Sequence, residues 1–178
     1  HVIDVAPSIL QAIGLPEPFA KRADESKALA VTIRRLGAPD EETVAALEGG
    51  VHARIGRQED GTGPARWQAA LKFGAPVAGE PAREGLWLYG ELARFDLDAW
   101  REALAEPAGA GAPEGQAALE LRGLDVNFGN LRFTGRDFAR VAARLERHAP
   151  GQWRGSLASP LVAGDVDFDL RGKGAIRA

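Results

Sequence analysis

The sequence has no cysteine and no methionine, and only one tyrosine and three histidines among its 178 residues. Without thiols it forms no disulfide and no thiolate metal centre, and cysteine usage leaves its compartment open. His1, His52 and His148 are far apart, and none sits in a metal-ligand spacing such as HExxH, so each reads as a surface or strand-edge histidine. Neither Ser8 nor Ser156 stands in a G-x-S-x-G elbow, and Gly123 to Gly129 lacks both the G-x-G-x-x-G fingerprint and a phosphate-loop lysine. The expectation is therefore no catalytic residue, no cofactor and no metal. No apolar run approaches the roughly 20 residues that span a bilayer, and the first residues lack a signal-peptide pattern. An excess of positive charge is missing as well: 22 basic against 25 acidic side chains leave a net charge of -3, which gives no electrostatic reason to expect nucleic acid.

What is present is apolar material in short pieces. Apolar residues make up 45% of the chain, enough for a core, while 22 glycines and 11 prolines break it into strand-length runs. The clearest alternation is Asp165 to Leu170, where Val166, Phe168 and Leu170 share one face and three aspartates occupy the other. Further strands are predicted over Ala28 to Leu36, Val51 to Gln58, Trp67 to Phe73, Leu86 to Phe95, Ala118 to Leu124, Val126 to Phe133 and Trp153 to Ser159. Gly61-Thr62-Gly63-Pro64 supplies the turn that would pair Val51 to Phe73 as an antiparallel hairpin.

One helix is predicted over Asp98 to Glu106, capped by Asp96 or Asp98 and ended by Pro107. The small residues from Ala108 to Gly115 then read as a flexible linker. This divides the chain into a β-rich segment over 1–107 that ends in the helix, the linker over 108–115, and a β-meander over 116–178. The final Gly174-Ala175-Ile176-Arg177-Ala178 reads like a strand cut in the middle, as expected of a piece of a longer protein.

Two stretches are ambiguous. Asp137 to Arg147 has helical spacing at Phe138, Val141 and Leu145 but also alternates through Ala139, Val141, Ala143 and Leu145, and propensity favours helix. Asp40 to Leu47, with acids in its first turn, reads as helix or loop. Asp165, Asp167 and Asp169 superficially have calcium-loop spacing, but Leu170 and Ile176 stand where such a loop needs glycine and glutamate, so a solvated strand face is the better reading. Trp67, Trp87, Trp100 and Trp153 sit beside aliphatic residues, as core aromatics do.

The run Gly85-Leu86-Trp87-Leu88-Tyr89-Gly90-Glu91-Leu92-Ala93-Arg94-Phe95-Asp96-Leu97-Asp98-Ala99-Trp100 resembles the G-L-W-x-x-G-x-L-x-x-L-D-L-D-x-W signature of the AsmA-like family, in its YhdP-type branch. Upstream, Ser8-Ile9-Leu10-Gln11, Leu15-Pro16-Glu17-Pro18-Phe19-Ala20-Lys21 and Leu29-Ala30-Val31 are similar to that branch, except that Ala12 replaces its usual glycine. Downstream, Gly151-Gln152-Trp153, Ser159 to Gly164 and Gly174 to Ala178 resemble its repeated strand-and-turn units.

The resemblance implies a mainly β fold: an antiparallel meander forming a curved, partly open sheet or groove, with one or two short helices. It implies that Asp137 to Arg147 is a strand. It also implies a non-enzymatic periplasmic protein, anchored in the inner membrane by parts outside this chain, that serves phospholipid transport between inner and outer membrane and outer-membrane integrity, with phospholipid or another lipid as partner. The alternative is an envelope scaffold with a closed β core that organises other envelope proteins. The expected groove-lining residues are Leu86, Leu88 and Leu92 or the opposite set Trp87, Tyr89 and Phe95, together with Val166, Phe168 and Leu170; alternation alone does not say which set faces inward.

Overall fold

The computed structural model describes residues 2–4, 16, 28–35, 38, 40–58, 65–77, 83–105 and 120–169. These form ten strands and one helix in the order β1 (Val2–Asp4), β2 (Leu29–Arg34), β3 (Glu42–Leu47), β4 (Val51–Gln58), β5 (Arg66–Phe73), β6 (Gly85–Asp96), α1 (Leu97–Ala105), β7 (Leu121–Phe133), β8 (Arg136–Ala149), β9 (Gln152–Ala158) and β10 (Ala163–Asp169). All ten strands lie in one sheet in sequence order, with β1 and β10 at its two edges, so the sheet is not closed into a barrel.

The expected mainly β, open architecture is present, and Val51 to Phe73 pairs antiparallel as predicted. Two pairings are not those of a simple meander: β5 with β6 and β6 with β7 run parallel. Parallel neighbours need a crossover, and α1 lies within the one between β6 and β7. Strands on both sides of 108–115 thus share one sheet, while the linker itself and the Gly61–Pro64 turn lie outside the described residues.

The local predictions differ from the structure at two places. Glu42–Leu47 is a strand, not a helix or loop, because β2 and β4 take its backbone groups on both sides. Its six residues make too weak a helix to compete with two ladders. The predicted strands Ala118 to Leu124 and Val126 to Phe133 are one strand, β7. Residues Arg136–Ala149 form β8, the strand that the resemblance implied for Asp137 to Arg147, against their helical propensity and held by ladders to β7 and β9. The β7–β8 turn is tight: Thr134 and Gly135 both have positive φ, 51° and 71°, as in the turns that match hairpin twist.

The core lies on one face of the sheet. Val51, Phe73, Leu92, Val126, Phe128, Val141 and Ala143 are buried together, with Leu71, Leu88, Leu124 and Leu157 packed against them. Val126, at 2% exposed, stands at the centre.

Candidate functional site

The site is a face, and the strand registers define it. Val51, Phe73, Gly90, Val126, Ala143 and Leu157 stand level across five successive pairings. One step along the strands, Ala53, Leu71, Leu88, Leu124, Leu145, Gly155 and Val166 make a second row. Because side chains alternate with a period of two, both rows project from the same face, and the intervening rows project from the other. Gly90 is required in the first row: its φ is +105°, and a Cβ there would overlap the carbonyl oxygen of Phe73.

A third apolar row is Leu92, Phe128 and Val141. Strict alternation would continue it at Arg94, Asn130 and Ala139. Instead Phe95, Leu131 and Phe138, three residues further rather than two, pack against the same cluster. The shift happens in the three strands together. Ala93, Gly129 and Arg140 drop out of the ladders at this level, and Arg140 has a φ of 53°. A Cβ on Gly129 would point within the sheet, 2.6 Å from the carbonyl oxygen of Ala93. One kinked row thereby keeps the apolar face on one side along the whole of the longest strands.

This geometry separates the predicted lining residues. Leu88 and Leu92 pack in the core cluster, and Leu86 shares their side by alternation. Trp87 and Tyr89 project from the opposite face, but Phe95, expected with them, lies on the leucine side because of the kinked row. Val166 is buried at 7% exposed in register with Leu145 and Gly155. Phe168 holds a register position opposite Trp153. Leu170 lies outside the described residues. Spacing in the sequence already carries the missed signal: Leu92 to Phe95, Phe128 to Leu131 and Phe138 to Val141 are each three apart, a break of phase in three neighbouring runs.

The opposite face is polar and its charges pair across strands. Arg144 meets Asp125 at 3.1 Å and Arg154 meets Asp167 at 2.9 Å, both exposed, so each contributes little to stability. Asp167 is thus part of a solvated strand face, as expected for the three aspartates of β10. A cavity of about 620 Å³ on this side is lined by Trp87, Tyr89, Asp125, Arg144, Glu146 and Arg154 among others. Trp87 lies low in it, 8% exposed, with the Arg83 guanidinium 4.5 Å from its ring centre. Among the described residues no group of three or more histidines, aspartates and glutamates is placed to hold a metal ion, and no helix is long and apolar enough to cross a membrane.

Helix α1 sits at the end of the apolar face reached by the kinked row. Asp96 caps it, its Oδ1 accepting the Ala99 N–H at 2.9 Å. Asp98, the other predicted cap, reaches across to the β7–β8 turn, where its two oxygens accept the Thr134 and Gly135 N–H groups at 2.8 Å each. These two bonds hold the Asp98 carboxyl below the ordinary aspartate value, with Arg101 and Arg132 assisting. Trp100 stacks on Phe95 with ring centres 6.1 Å apart, and Phe95 in turn meets Phe128 at 5.5 Å.

An open, mainly β sheet with one short helix is the architecture that the resemblance of Gly85 to Trp100 implies. The sequence profile described as YhdP protein matches residues 5–178. The chain belongs to the YhdP family. Comparison with curated proteins and with solved structures gives no match. YhdP membership is consistent with a cell-envelope protein of the lipid-transport kind.

Proposed function

We propose that this YhdP-family chain is a non-enzymatic stretch of a periplasmic lipid path, in which the apolar face of the sheet shields acyl chains during phospholipid movement between inner and outer membrane. The rest of the protein would carry the inner-membrane anchor. The observation that supports this reading most is the kinked row Ala93–Gly129–Arg140, which keeps the apolar face continuous where alternation would have broken it. The physical need is plain: hydrating an acyl tail of about 16 carbons costs on the order of 12 kcal/mol, at about 0.8 kcal/mol per CH₂. A continuous apolar face removes most of that barrier, and the ion-paired face opposite meets water.

A scaffold with a closed core is the second reading, favoured by the burial of Val126 to 2%. Photoreactive residues placed singly at Leu86, Leu88 and Leu92 in the full-length protein in cells separate the two. A path captures phospholipid at these positions and not at Trp87 or Tyr89. Absence of capture at all three leucines would leave the scaffold.

A further inference from the structure

The polar face carries a feature that the lipid path does not use. Level across β6 to β10 stand Trp87, Gly123, Glu146, Arg154 and Asp167, and one row along stand Tyr89, Asp125 and Arg144. The missing side chain of Gly123 lets the Trp87 ring lie against the sheet, 8% exposed, while the longer side chains of Arg144, Glu146 and Arg154 stand round it. The result is the recess of about 620 Å³, a size within the roughly 300–1,000 Å³ of small-molecule sites. Its charged walls are of two kinds. Arg144 and Arg154 are tied to Asp125 and Asp167 in ion pairs. Among the described residues Arg83 and Glu146 make no ion pair, and Arg83 instead lays its guanidinium over the Trp87 ring, 4.5 Å from its centre.

This lining selects by chemistry. An anion would meet Asp125 and Glu146, a cation would meet three arginines, and an apolar group would strip water from all of them. A neutral ligand rich in hydroxyls avoids each cost, because every hydroxyl both donates and accepts, and a saccharide ring adds a C–H face that packs on an indole. We propose that the recess binds a neutral saccharide, with Trp87 as its floor, Glu146 as the acceptor for its hydroxyls and Arg83 as a cover that the sugar displaces. Displacement is cheap: Arg83 precedes β6 and is exposed, and a cation–π contact at an exposed position is weak. The site lies on the face opposite the lipid path and does not depend on it.

The test applies the full-length protein to an array of neutral and anionic oligosaccharides that includes chitotriose and maltotriose, and then titrates the tightest neutral one calorimetrically against the natural protein and two variants. Arg83 and Glu146 are both exposed, so Arg83→Ala and Glu146→Ala are expected to fold, which thermal melting checks. The expected result is retention on neutral oligosaccharides and not on sulfated or phosphorylated ones. Glu146→Ala should lower the affinity about tenfold or more, as for the loss of a hydrogen bond to a charged group. Arg83→Ala should raise it about two- to fivefold, the equivalent of an exposed cation–π contact that the sugar no longer has to break. Retention on no neutral oligosaccharide overturns the site. So does binding that Glu146→Ala leaves unchanged, or that Arg83→Ala weakens, since a residue covering the ring competes with the ligand for it. Lipid capture at Leu86, Leu88 and Leu92 is read separately, so the saccharide site and the lipid path fail independently.

Discussion

The indole of Trp87 lies across the backbone of Gly123, so close that a methyl group added to the glycine would overlap the six-membered ring. The pair stands level in β6 and β7, on the face away from the core cluster, and the Trp87 Nε1–H donates to the Glu84 carbonyl at 3.2 Å. A residue without a side chain is what lets a buried ring lie flat on the sheet. We predict that Gly123→Ala destabilises the protein by about 1–3 kcal/mol through overpacking, measured by denaturant unfolding. In the Trp87→Ala background the same change should cost much less. Equal costs in both backgrounds would show that the ring is not the cause.

Asp98 predicts a pH effect with a definite sign. Its folded value is lowered by the Gly135 and then the Thr134 N–H group, so the stabilisation it contributes is complete above the unfolded aspartate value. That contribution is lost as pH falls through the lower folded value. The amide resonances of Thr134 and Gly135 should shift together at a pH below the ordinary aspartate range, and Asp98→Asn should abolish the titration. Titration at an ordinary aspartate pH would contradict these two hydrogen bonds.

Arg140 adopts a φ of 53° inside a strand, a conformation that costs a side-chain-bearing residue and not a glycine. Arg140→Gly is expected to stabilise slightly, by up to about 1 kcal/mol, and Arg140→Val to destabilise by more than that. The denaturant midpoints of the two variants should bracket the natural protein. If both destabilise alike, the kink is not what the arginine backbone is strained to make.

At the β9–β10 turn the Ser159 hydroxyl accepts the Leu161 and Val162 N–H groups at 3.3 and 3.1 Å, holding Leu161 85% exposed. Ser159→Ala should cost about 0.5–1.5 kcal/mol, whereas Leu161→Ser should stay within about 0.5 kcal/mol of the natural protein. A large loss from Leu161→Ser in the full-length protein, measured by thermal unfolding, would show that another part of the molecule packs there.

Local chemistry was readable in advance where it acts over a few residues. The alternation around Val166, the strands from Val51 to Phe73, the helix after Asp96 and its acidic cap all follow from side-chain period and capping, and the structure has them. The signature from Gly85 to Trp100 carried the family in the same way. What the tertiary structure decided is everything that depends on which strands become neighbours. Glu42–Leu47 is a strand because ladders on both sides outweigh its helix-like local pattern, and Arg136–Ala149, which only the resemblance marked as a strand, is held against its helix propensity in the same way. Parallel pairing of β5, β6 and β7 is likewise invisible in a period of two, which is the same for either direction. The sorting of Phe95 with the leucines, away from Trp87 and Tyr89, needed the kinked row, because a break in phase identifies its face only when adjacent strands break at the same level and one side of the sheet is already buried.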